Sequence, residues 1–176
     1  LDKINRKNGG VYSVTAGGNE IPCDTLILAT GHSARDTFNM LIAEEFELIR
    51  KPFSVGVRIE HLQSDINRAL YGDFAKHPAL SAADYKLSAH PDNRGVYTFC
   101  MCPGGEVINA SSENGGIAVN GMSRSRRDGV NANSALLVSV LPEDIEGGVL
   151  DGCEFQRRIE QAAYSIAGGG VPVSTV

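Results

Sequence analysis

The chain has 176 residues, 42% of them hydrophobic and 21% charged, which is enough for one ordinary core and excludes a disordered chain, while 20 glycines without a fixed period exclude collagen. A formal charge of −5, from 16 Lys and Arg against 21 Asp and Glu, leaves no basic field to draw the chain onto DNA or RNA. No apolar run approaches the roughly 20 residues that span a bilayer, and Leu1-Asp2-Lys3-Ile4-Asn5-Arg6-Lys7 lacks a signal peptide's apolar stretch. The expectation is a cytoplasmic protein with neither a nucleic-acid nor a membrane partner.

The chain opens at Leu1 on polar residues that lead into a strand, and so reads as an internal fragment. Val11 to Thr15 alternates and is β-rich, residues 16–20 supply a turn, and Ile21 to Asp24 completes a hairpin. Thr25 to Thr30 is apolar in its middle, the pattern of a strand covered on both faces, and it stops at Gly31. Ser33 and Asp36 then have capping-box spacing, ahead of Phe38, Leu41 and Ile42 at helical spacing.

Ser54 to Glu60 alternates again, with Val55, Val57 and Ile59 on one face and Arg58 and Glu60 on the other. Leu62, Ile66 and Leu70 predict a short helix over 63–71, stopped by Gly72. Residues 96–102 and 106–110 flank Pro103-Gly104-Gly105 and read as a second hairpin, and residues 111–116 as a turn before Ile117 to Val119. Ala135 to Leu141 is one more strand. Phe155, Ile159, Ala162, Ala163 and Ile166 mark one face of a helix ending at Gly168-Gly169-Gly170. About eight strands, often consecutive, with about three helices predict a hairpin-rich α+β fold with a mixed sheet. Its expected boundary falls near Arg50-Lys51-Pro52, dividing a segment 1–50 from a larger domain 51–176.

Four cysteines, Cys23, Cys100, Cys102 and Cys153, are too scattered for a disulfide scaffold. In a straight strand Cys100 and Cys102 share a face about 6.6 Å apart, too far for easy closure. No second pair or nearby histidine gives them zinc spacing. They read as two small core residues, or as redox or substrate-facing thiols. Arg58 either pairs with Glu60 on the surface or holds an anionic substrate in its planar donor fork, with His61 placed to donate a proton. Arg124, Arg126 and Arg127 crowd one loop, as solvated charge or as an anion contact. Asp84-Tyr85-Lys86 has no assigned partner, and Asn109-Ala110-Ser111 is discounted as a glycosylation acceptor.

Cys23-Asp24 followed by an apolar run closed by Ala29-Thr30-Gly31 resembles the segment with which two-dinucleotide-domain FAD oxidoreductases return to their FAD domain. Gly56-Val57-Arg58-Ile59-Glu60-His61, Ala82 to Leu87, Tyr97 to Gly105 and Asn120-Gly121-Met122-Ser123 resemble the bacterial family of uncharacterised FAD-dependent (NAD(FAD)-utilising) dehydrogenases. The resemblance runs from Val11 to Gly170. It implies FAD in the parent protein, with Ala29, Thr30 and Gly31 near it and residues 1–50 as an edge of the FAD domain. The rest is then an inserted substrate domain whose site residues would include Arg58, His61, Cys100, Cys102 and Arg124. The chain has no G-x-G-x-x-G at a strand-helix junction, so this fragment is expected neither to bind FAD nor to act by itself. The competing reading is a non-catalytic ligand- or protein-binding module.

Overall fold

A computed structural model describes residues 1–174. The chain forms two compact units, one built from Leu1–Arg50 with Gly147–Glu154, the other from Lys51–Glu146 and the residues from Phe155 onward. The fold is mixed α+β, with three helices and separate antiparallel sheets.

In the first unit β1 (Lys3–Lys7), β2 (Gly10–Ala16) and β3 (Asn19–Pro22) pair antiparallel in that order, with a two-residue Gly17-Gly18 turn between the last two. The predicted hairpin is therefore present, with one more strand on its outer side. Ile4, Ser13 and Val14 are buried at its centre. Helix α1 (Arg35–Ala43) turns Thr37 and Leu41 inward. The Arg6 guanidinium lies 4.2 Å from the Phe46 ring centroid, a cation–π contact.

Two local expectations fail in this unit. The N-cap of α1 is Ala34, which offers no side-chain acceptor, so the expected capping box from Ser33 and Asp36 is not the device that starts the helix. Residues 25–30 form no strand, and Ile27 is 85% exposed. A run of apolar residues becomes a buried strand only where neighbours take up its backbone groups, and no strand among the described residues pairs with it.

In the second unit β4 (Phe53–Leu62), β5 (Ser88–Ala89), β6 (Val96–Cys102) and β9 (Asn131–Val140) form one sheet in the order β4-β9-β6-β5. Helix α2 (Gln63–Tyr71) follows β4 directly and stops at Gly72, as the Leu62-Ile66-Leu70 spacing predicts. Strands β7 (Gly105–Asn109) and β8 (Val119–Ser123) pair with each other in a sheet of their own. Helix α3 (Asp151–Ile166) matches the predicted apolar period, and within this unit its Phe155 ring lies 6.2 Å from that of Phe53.

The second expected hairpin is not formed. Strands β6 and β7 flank Pro103-Gly104, but β6 pairs with β9 and β5 whereas β7 pairs with β8. The turn is anchored elsewhere, because the Gly104 N–H donates to Gln63 Oε1 at 2.8 Å. Strand β4 alternates as expected, yet Val57 is 64% exposed, so its apolar face is only partly covered.

Arg94 and Asp144 form a two-pronged ion pair, Arg94 Nη2 donating to Asp144 Oδ1 at 2.7 Å and Nη1 to Oδ2. The Arg94 guanidinium, aided by the Leu141 N–H, holds the Asp144 carboxyl below the ordinary carboxylate range. A carboxyl depressed in the folded state adds stability above its unfolded pKa of about 3.9 and loses it as pH falls through the lower folded value. Arg94→Met is expected to raise the Asp144 titration midpoint toward the ordinary carboxylate range, with the Leu141 N–H bond retained. The Asp144 carboxyl carbon shift, followed by NMR against pH, checks this, and an unmoved midpoint refutes the assignment.

Candidate functional site

The site grows from the longest pairing in the sheet. Strand β4 runs beside β9 without a register break, so alternation assigns every side chain to one of two faces. Ser54, Arg58 and Glu60 of β4 share a face with Asn133, Ala135, Leu137 and Ser139 of β9. His61 shares the opposite face with Ile59 and Ser134. Arg58 and His61, expected as neighbours in one site, are thus placed on opposite faces of β4.

Arg58 is held by three neutral oxygens. Its Nη1 donates to Asn133 Oδ1 and to the Cys100 carbonyl at 3.2 Å, and its Nη2 donates to Asn120 Oδ1 at 3.2 Å. The expected surface pair with Glu60 is not made. Glu60 instead accepts from the Val107 N–H at 2.9 Å and from Asn131 Nδ2 at 2.6 Å. No carboxylate among the described residues is within ion-pair distance of Arg58, and its hydrogen bonds all go to neutral acceptors.

Asn133 is fully buried, and arginine can only donate, so Asn133 must present its oxygen to Arg58. That orientation leaves Asn133 Nδ2 buried without a hydrogen-bond partner among the described residues. Gly121 closes the cradle: a Cβ there would stand 2.2 Å from both Arg58 Nη1 and Asn133 Oδ1, and 2.7 Å from Cys102 Sγ. Only glycine permits this approach. Further along the same face, Ser54, Tyr97, Phe99, Leu137 and Ser139 are among the residues lining a shallow hollow of about 470 Å³, and the Ser54 and Tyr97 hydroxyls meet at 2.7 Å.

Cys100 and Cys102 do not lie on a straight strand. The β6–β9 register slips between Phe99 and Cys102, a β-bulge in which Cys100 takes φ +48°. Cys100 is exposed and Cys102 buried, both as free thiols. The Cys102 sulfur folds back to 3.3 Å from the Cys100 carbonyl and lies 3.9 Å from Arg58 Nη1. Burial pushes the Cys102 thiol up, Cys100 adds to the push, and Arg58 opposes it.

On the other face, His61 Nε2 and the Tyr85 hydroxyl are 2.7 Å apart, with ring centroids at 5.6 Å. Burial raises the Tyr85 pKa, partly opposed by a hydrogen bond to Ser134, so the phenol keeps its proton. His61 Nδ1 is buried without a hydrogen-bond partner among the described residues. Arg124 is exposed in a turn closed by the Arg127 N–H donating to the Arg124 carbonyl at 2.9 Å, and its side chain joins neither cluster.

Ala29, Thr30 and Gly31 are exposed, and space is open where a Gly31 side chain would lie, at φ +77°. No backbone amide of these three donates to a protein acceptor among the described residues. Asn120, Asn133 and Tyr85 were not legible as site residues: the two asparagines acquire meaning only when β4 and β8 bring Arg58 and Asn120 to β9.

The fold and this site define a mixed α+β unit with an arginine held by neutral acceptors on one sheet face. Residues 52–176 match the family described as "FAD-dependent protein, C-terminal domain-like", and the chain belongs to that family. A relative in Clostridium beijerinckii, named "Uncharacterized protein", is 49% identical over 181 residues. The alignment covers 100% of this chain and 34% of the relative, so the chain spans about a third of the length of the curated relative it matches.

Proposed function

We propose that this chain is the substrate-binding portion of an FAD-dependent oxidoreductase, a cytoplasmic dehydrogenase of small molecules, and is inactive by itself. The observation that carries this reading is the family match across residues 52–176. The geometry supports a small anion as substrate. One sheet face presents Arg58, with no carboxylate partner, and an aromatic-lined hollow, a combination suited to a carboxylate or phosphate group on an apolar body.

FAD, when bound, accepts or returns a hydride. The exposed Ala29-Thr30-Gly31 main chain fits contact with such a cofactor, whereas the glycine-rich phosphate loop must come from elsewhere in the protein. Arg58 would orient the substrate anion. The His61–Tyr85 pair, hydrogen-bonded on the other face of β4, would hold and pass a proton there.

The test is the visible absorption spectrum of the complete gene product, with this chain alone as the control. A flavin spectrum in the complete protein and none in the chain is the expected result. A colourless complete protein that takes up no added FAD overturns the reading in favour of a non-catalytic binding module.

A further inference from the structure

The bulge in β6 separates Cys100 and Cys102 by exposure while keeping them in contact. In a regular strand, residues two apart point away from the sheet side by side, and their sulfurs do not converge. Here Cys100 sits in a left-handed conformation uncommon outside glycine, and the Cys102 sulfur folds back over residue 100 to 3.3 Å from its carbonyl oxygen. The outer thiol is open to solvent and the inner one is not. Arg58 Nη1 lies 3.9 Å from the inner sulfur and also donates to the Cys100 carbonyl, so one cation borders both cysteines.

We infer that Cys100 and Cys102 are a redox-active dithiol that exchanges with low-molecular-weight disulfides bearing carboxylates, Cys100 attacking and Cys102 resolving. The choice of a carboxylate-bearing disulfide rests on the reading of Arg58 as an anion site, whereas closure of the cysteine pair stands without it and without FAD.

The exchange balances in two steps. The Cys100 thiolate attacks one sulfur of RSSR, forming the Cys100–SR bond and expelling RS⁻. The Cys102 thiol then gives up its proton to RS⁻, and its sulfur displaces the second RS⁻ from Cys100, which takes up the proton lost earlier from Cys100. Two thiols are oxidised by two electrons in all, and one RSSR is reduced to two RSH. Cys100 is exposed to the incoming disulfide and Cys102 is buried behind it, and burial also lowers the acidity of Cys102 and keeps it protonated until the mixed disulfide forms, which orders the two roles.

The experiment exposes the full-length protein to oxidised glutathione, quenches with acid, alkylates the remaining thiols and maps the peptides by mass. The expected product is a peptide carrying Cys100 and Cys102 that has lost two hydrogens and resists alkylation. Cys102→Ser, or Cys102→Ala should serine disturb the buried position, accumulates one glutathionyl group on Cys100. Full alkylation of both cysteines, or a stable glutathionyl group on Cys100 of the wild type, overturns the dithiol. Arg58→Met is expected to slow reaction with oxidised glutathione on the order of tenfold more than it slows reaction with the uncharged hydroxyethyl disulfide. Equal slowing with both refutes the anion-guided part alone. Flavin content, read separately, leaves these outcomes unmoved.

Discussion

Replacing Gly56 by alanine is expected to destabilise the four-stranded unit by about 3 kcal/mol, at the upper end for overpacking. Gly56 lies in the middle of β4, opposite Leu137. A Cβ at this position would stand 1.9 Å from the Leu136 carbonyl oxygen and 2.9 Å from its carbon. Those atoms are backbone, so no rotamer change relieves the clash and the strands must part. Gly116→Ala is the matched control, because its new methyl would meet Glu160 Cβ at an ordinary 3.5 Å. The denaturant midpoint should fall for Gly56→Ala and hold for Gly116→Ala, within about 0.5 kcal/mol. Equal midpoints for the two variants would show that β4 and β9 are not packed as closely as described.

The second large effect is expected at Gln63, the first residue of α2. Its side chain is buried and joins three segments, donating to the Ala83 carbonyl at 2.9 Å and Asn67 Oδ1 at 2.8 Å while accepting from the Gly104 N–H at 2.8 Å. Gln63→Leu keeps most of the volume and strands a buried carbonyl and a buried amide, at about 1–3 kcal/mol each. A total loss of about 3 kcal/mol follows. The local signature is hydrogen exchange at Gly104, whose amide should lose protection before those of β9. Unchanged protection of Gly104 in the variant would refute Gln63 as the anchor of that turn.

The legible parts of this fold are those whose instructions are local. Leu62, Ile66 and Leu70 with Gly72 state α2 within eleven residues, and the apolar period of α3 is as local. Strand β9 was legible only from Ala135, because its first residues, Asn131 to Ser134, are mostly polar. Ala132, Asn133 and Ser134 are nevertheless among the most deeply buried in the chain, and the Asn133 side-chain oxygen accepts from Arg58 of β4, 75 residues away. Alternation alone placed Arg58 and Glu60 on one face, yet it could not show that Glu60 engages the Val107 amide and Asn131. The bulge at Cys100 was equally hidden, since nothing in the spelling Phe99-Cys100-Met101-Cys102 announces a left-handed residue. The opposite error lies at residues 25–30, where a strong local strand pattern meets no partner among the described residues.

The sheet margins bear unequally on further growth. In the three-stranded sheet, β1 carries Lys3, Arg6 and Lys7 along one border and β3 ends the other with Pro22, which has no N–H to give. In the four-stranded sheet, β5 has only two residues, while β4 offers ten along the opposite border. The long unpaired border of that sheet therefore lies along β4, the strand that also carries Arg58, while its other border is closed after two residues.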